Sequence, residues 1–242
     1  ETVLDMEDSF PLPDACFTEA VAAIPNGYQG LSVVLTDPAR SVPLLKAAYT
    51  AARVPEARLA YAHVLGMMGH PDGETELIAR VQGMAWDKGW HFRGMGQFNR
   101  SVSWLDSYLI ALGRCRSVRA VPAILDKAKA LTAADAFSHF RAVALALEAI
   151  GDPAGAPVLG RLLATEGIGG YAIRMGPELP VIPNYANHEG DRERSACLRE
   201  LALARALFRL GDFEGRGVRT LRAYAEDPRG AYATHAALVL GR

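Results

Sequence analysis

The residues best suited to chemistry lie between Gly83 and Asp106. This segment holds all three tryptophans of the chain, Trp86, Trp90 and Trp104, beside Asp87, Lys88, His91, Arg93, Gln97 and Arg100. Aromatic rings supply broad apolar contact and the charged and amide groups add a few directional bonds, the combination used by ligand pockets and partner surfaces. The competing reading is an ordered loop, pinned by its tryptophans to the edge of the surrounding helices. Further along, His139 and Arg141 stand at the front of a well-formed helical pattern, with Glu148 two turns later. They are candidates to line a concave face, against the plainer expectation of a surface salt link or helix cap. The candidate binding surface is therefore Trp86, Asp87, Trp90, His91, Arg93, Gln97, Arg100, Trp104, His139 and Arg141.

Other chemistries find less support. Gly94 and Gly96 have Gly-x-Gly spacing, but no third glycine, preceding strand or βαβ unit accompanies them to seat a pyrophosphate. None of the six histidines stands three or four residues from another, and the adjacent pair His188-Glu189 falls in a stretch rich in Pro and Asn, so no metal site is expected. Ser101, Ser103, Ser107 and Cys115 occupy no Gly-x-Ser-x-Gly elbow and adjoin no histidine. The three cysteines, Cys16, Cys115 and Cys197, are odd in number and widely spaced, which suits buried thiols better than a disulfide framework. Arg192, Arg194, Arg199, Arg205 and Arg209, interleaved with Glu193 and Glu200, read as a solvated outer helix face.

The 242 residues are 50% hydrophobic with a formal net charge of −1. A general nucleic-acid binder normally carries a basic excess, so no nucleic-acid partner is expected. No apolar run approaches the roughly 20 residues of a membrane span, and no membrane partner is expected. The sequence opens on Glu1 instead of methionine, as in a processed protein or a part of a longer one. Its compartment stays open between cytoplasmic and exported, in either case as a soluble protein.

The elements that must position these residues are written as a repeat. An alanine- and leucine-rich helix stops at glycine and a second amphipathic segment follows, most clearly from Arg141 to Leu163. Gly151 suits the left-handed residue past a helix end, Asp152 can cap the next helix, and Pro153 fits its first turn. The pattern recurs at Leu59–Gly69, Trp104–Gly113, Leu198–Gly211 and Ala231–Gly241. The first glycines are spaced roughly 40 residues apart, within the range of paired-helix repeats. The spacing predicts second helices through Leu77, Ile78 and Val81, through Val121, Ile124, Leu125 and Ala128, and through Val218, Leu221 and Tyr224. Leu31–Leu35 is the one short β-like run of note.

The phrase Ala-Leu-Glu-Ala-Ile-Gly-Asp-Pro-Ala-Gly-Ala-Pro-Val-Leu (146–159) is similar to the HEAT-like repeats described in phycobilisome lyases, over residues 37–242. That resemblance implies architecture and says little of activity. A second, narrower one joins Trp86–Ser101, Trp104–Tyr108 and Phe137–Ala142, which look like the helical C-terminal region of bacterial FAD-dependent oxidoreductases. It implies that this chain binds no cofactor itself and that FAD would sit on an N-terminal domain absent from it.

The expectation is an all-α solenoid of about five HEAT-like paired-helix repeats over residues 37–242, after an irregular segment 1–36, with insertions at 83–103 and 167–192. Its expected role is a non-catalytic scaffold for a protein or adjoining domain. The alternative is a ligand-binding, chromophore-lyase-like solenoid that uses the aromatic insertion at 83–106.

Overall fold

The computed structural model describes residues 12–89, 103–174 and 188–241, the last span from residue 192 in its side chains. Trp90, His91, Arg93, Gln97 and Arg100 lie outside the described residues. Twelve α-helices and no strand are found among the described residues. The phrase at 141–163 folds as written. Its first helix, α8 (Phe137–Ile150), ends on Gly151 at φ 78°, whose N–H bonds back to the Leu147 carbonyl at 2.9 Å. The Asp152 side chain accepts from the Ala154 N–H at 2.9 Å, and Pro153 opens a short 3₁₀ turn into α9 (Ala156–Ala164). Val158, Leu159 and Leu162 of α9 are buried.

The other pairs follow the same pattern. Helices α4 (Pro55–Met67) and α5 (Glu74–Gly83) form one pair, and α6 (Trp104–Cys115) and α7 (Val121–Lys129) the next. Helices α10 (His188–Arg209) and α11 (Arg216–Ala225) follow α8 and α9, and α12 (Gly230–Val239) closes the described stack against α11 and α10. Helices α4, α6, α8 and α10 lie side by side in one row, with α5, α7, α9 and α11 in a second row behind them. One apolar core runs through the pairs, with a smaller cluster around Leu201, Leu221 and Tyr224 near α12. Leu105, Leu109, Leu112 and Leu159 have no exposure. Each such side chain contributes about 2 kcal/mol by leaving water, and no single helix pair could bury them alone.

Three expectations need correction. The N-terminal segment is not irregular within the described residues. Helix α1 (Asp14–Ala23) buries Phe17, Ala20 and Val21, and the β-like run forms α2 (Leu31–Thr36). A short apolar run takes the conformation its neighbours can pack, and here those neighbours are α1 and α3 (Pro38–Ala51). Gly113 is not a helix stop either. It sits inside α6, where an added Cβ would lie 2.4 Å from Ala146 Cα of α8, and the left-handed residue after α6 is Arg116 at φ 54°. The missing side chain lets α6 and α8 touch closely. Last, α10 begins at His188, inside the segment expected to be an insertion up to residue 192.

Candidate binding surface

The start of the tryptophan-rich segment is strapped flat onto the helices. Lys127 Nζ donates to the carbonyls of Gln82 and Met84. The Trp86 ring rests on the His139 ring, with centroids 4.4 Å apart and planes at 36°. Asp87 accepts from the Trp104 N–H at 2.7 Å and from the Ser103 hydroxyl, while Ser103 Oγ accepts from the Asp106 N–H at 3.0 Å. Two side chains thus cap the N-terminus of α6, where a carboxylate also meets the positive end of the helix dipole. At Gly89 an added Cβ would lie 2.4 Å from Ala136 Cβ, so the backbone passes tight against the start of α8.

His139 is neither a cap nor a surface salt link. It lies within α8 at 3% exposure and pairs through Nδ1 with Asp106 Oδ1 of α6 at 2.7 Å. Asp106 Oδ2 and Trp86 Nε1 are buried beside this pair with no hydrogen-bond partner among the described residues. Glu148 does not pair with Arg141. It accepts from Arg205 Nε at 2.8 Å and from Arg209.

A second polar chain escaped the sequence because its members are far apart. The Tyr28 hydroxyl bonds His63 Nδ1 at 2.8 Å, and His63 Nε2 bonds Ser107 Oγ at 2.8 Å. Trp104, with 48% exposure, stacks on Tyr28 at 5.5 Å between centroids. Burial lowers the His63 pKa to about 4, so a neutral imidazole bridges the two hydroxyls at ordinary pH. Tyr28 holds φ at 62°, a costly conformation for a bulky residue. The available signals were His63 within an apolar helical stripe and Tyr28 between Gly27 and Gly30. Neither names the partner.

Arg141 is exposed and belongs to a different feature, a groove of about 710 Å³ between α8, α10 and α12. Leu145, Leu198, Leu201, Ala202 and Tyr232 line it together with Arg141, Arg194, Arg205, Arg229 and His235. No carboxylate is among these lining residues, so the groove has apolar walls and a cationic border. Glu148 holds Arg205 from behind, and Asp227 and Glu193 hold Arg229 at 2.6 and 2.7 Å. The His235 pKa is lowered, first by burial and then by Arg205 and Arg209. Helix α10 is only in part the solvated face expected: Arg192, Arg194 and Arg209 are exposed, whereas α8, α9 and α11 pack on the helix and Arg199 is only 7% exposed.

The model of the PBS lyase HEAT-like repeat matches residues 141–165, which is the α8–α9 unit. None of the curated proteins compared matches the chain. Among the described residues no helix is long and apolar enough to cross a membrane, and no group of three or more His, Cys, Asp or Glu could hold a metal ion. The chain is an all-α solenoid that carries a HEAT-like repeat at its centre.

Proposed function

We propose that this chain is a non-catalytic scaffold that holds an acidic, amphipathic segment of a partner protein or adjoining domain in the groove between α8, α10 and α12. The groove itself carries the reading, since it joins apolar walls to five basic side chains with no acid among its described lining residues. An amphipathic helix with a leucine-rich face and glutamates at its flanks matches both properties. The flat packing of Trp86 on His139, and the use of Asp87 as a cap, support a scaffold over a ligand pocket at the start of the aromatic insertion. Any flavin chemistry belongs, on this reading, to another domain of a larger oxidoreductase and not to this chain.

Fluorescence anisotropy with two labelled helical peptides tests the proposal. One presents leucines on one face and glutamates on the other, and its counterpart replaces glutamate by lysine. The acidic peptide binds, and its affinity falls as salt rises. Arg141→Glu weakens it by roughly tenfold, the scale for reversing one charge in a partly desolvated border. Equal binding of both peptides, or no binding of the acidic one, would overturn the reading.

A further inference from the structure

A second cavity lies on the other side of the first turns of α10, and its chemistry differs from that of the groove. It measures about 410 Å³ and sits between the loop after α7, the turn after α9 and α10 itself. Phe137 and Tyr171 form aromatic wall, and Arg192, Ser195 and Arg199 reach it from one face of α10. That volume lies within the range of small-molecule sites.

The two buried arginines nearby set a contrast. Arg229, 6% exposed, is enclosed by acids: Asp227 takes Nε at 2.8 Å and Nη2 at 2.6 Å, and Glu193 takes Nη1 at 2.7 Å. Arg199, 7% exposed, has no carboxylate in hydrogen-bond contact among the described residues. Its Nη1 donates to the Ala133 carbonyl at 3.1 Å and its Nη2 to the Gly167 carbonyl. Among the described residues its Nε–H has no partner, and neither does the hydroxyl of Ser195, which is 8% exposed. The adjacent Glu200 acts on Arg199 through its charge but makes no hydrogen bond to it. Its oxygens already accept from Gly170 N at 2.8 Å, Tyr171 N at 2.9 Å and the Tyr224 hydroxyl at 2.9 Å. Two idle buried donors, one of them on a cation, are costly to keep. Both residues line the same cavity.

We propose that this cavity binds a small organic monocarboxylate, with its carboxylate held by Arg199 and Ser195 and its apolar body against Phe137 and Tyr171. Two unpaired donors match the two oxygens of a carboxylate, and a χ1 rotation swings the Ser195 hydroxyl about its Cβ. Asp135 also lines the cavity, and its Oδ2 accepts from Thr132 N at 2.7 Å and Thr132 Oγ1 at 2.8 Å. A phosphate lacks the apolar body that Phe137 and Tyr171 would cover, so an aromatic monocarboxylate is preferred to it. Arg192, exposed at the border, adds attraction at the entrance. The site adjoins the scaffold groove at Phe137, which lines both, but its test reads a different probe and residues of α10 and the two turns that the groove lacks.

Sodium benzoate is the probe, titrated into the ¹H–¹⁵N spectrum of the intact chain beside sodium phosphate. Benzoate shifts the amides of 133–137, 167–171 and 195–199, with a dissociation constant on the order of 10 mM, the affinity reachable by a fragment of this size. Ser195→Ala leaves the melting temperature within a degree or so and weakens benzoate by roughly tenfold. Arg199→Lys serves as the second variant if its spectrum stays dispersed, and it too binds benzoate more weakly. No shift at these amides, benzoate affinity unchanged in Ser195→Ala, or phosphate binding as tightly as benzoate would overturn the proposal.

Discussion

At the scale of the residue, the polar side chains of the front row act mostly on one another. His63 joins Tyr28 to Ser107 across three elements, and His139 joins α8 to Asp106 of α6. The His63 pKa of about 4 has a consequence for stability. The unfolded imidazole titrates near 6.5, so between pH 6.5 and 4 the unfolded chain binds more protons than the folded one. Stability is therefore full above pH 6.5 and falls as the solution is acidified, by about 3 kcal/mol over the whole window. His235 contributes in the same direction, while Glu76 and Asp227, whose pKa values are lowered, lose their stabilising effect at lower pH. Urea unfolding of the native chain at pH 7 and pH 5 checks this against His63→Gln. The variant is less stable at pH 7 but loses less on acidification, and an unchanged difference between the two pH values would contradict the assignment.

At the scale of the element, glycine punctuation was legible where the residue ends a helix and misleading where it packs inside one. Gly69, Gly151 and Gly211 hold φ at 85°, 78° and 94° at helix ends, as their place in the repeat suggests. Gly113 carries the same sequence signal, yet its role comes from Ala146, a residue of the next repeat. Gly113→Ala drives a Cβ into backbone and separates α6 from α8, a strain of roughly 1–3 kcal/mol that exceeds the gain of about 1 kcal/mol in helix propensity. Gly83→Ala is the matched control, since nothing among the described residues lies within 4 Å of its added Cβ. Thermal melts should show a lower midpoint for Gly113→Ala and an equal or higher one for Gly83→Ala. Equal midpoints for Gly113→Ala and the parent would show that α6 and α8 do not approach so closely. The apolar stripes of α5, α7 and α9 were readable because burial repeats along one helix face. Pairings such as His63 with Ser107, or His139 with Asp106, were not, because they depend on how separate repeats stack. Arg141 was a candidate to line a concave face beside the tryptophan-rich segment, and it borders instead the groove of α8, α10 and α12.

At the scale of the whole molecule, two helix rows share one apolar core, and each repeat is stabilised chiefly by its neighbours. Such a stack offers long grooves between helices of one row, and the groove of α8, α10 and α12 gathers basic residues in a chain whose net charge is only −1. The charge is thus arranged locally, with Glu148, Glu193 and Asp227 orienting arginines toward the groove's border. The scaffold claim is tested most directly by hydrogen–deuterium exchange on the chain saturated with the acidic amphipathic peptide. The account predicts slowed exchange in 137–145, 194–205 and 229–235, with Arg141→Glu needing roughly ten times more peptide for the same protection. Protection around Tyr28 and Trp104 instead, or no protection on binding, would contradict it.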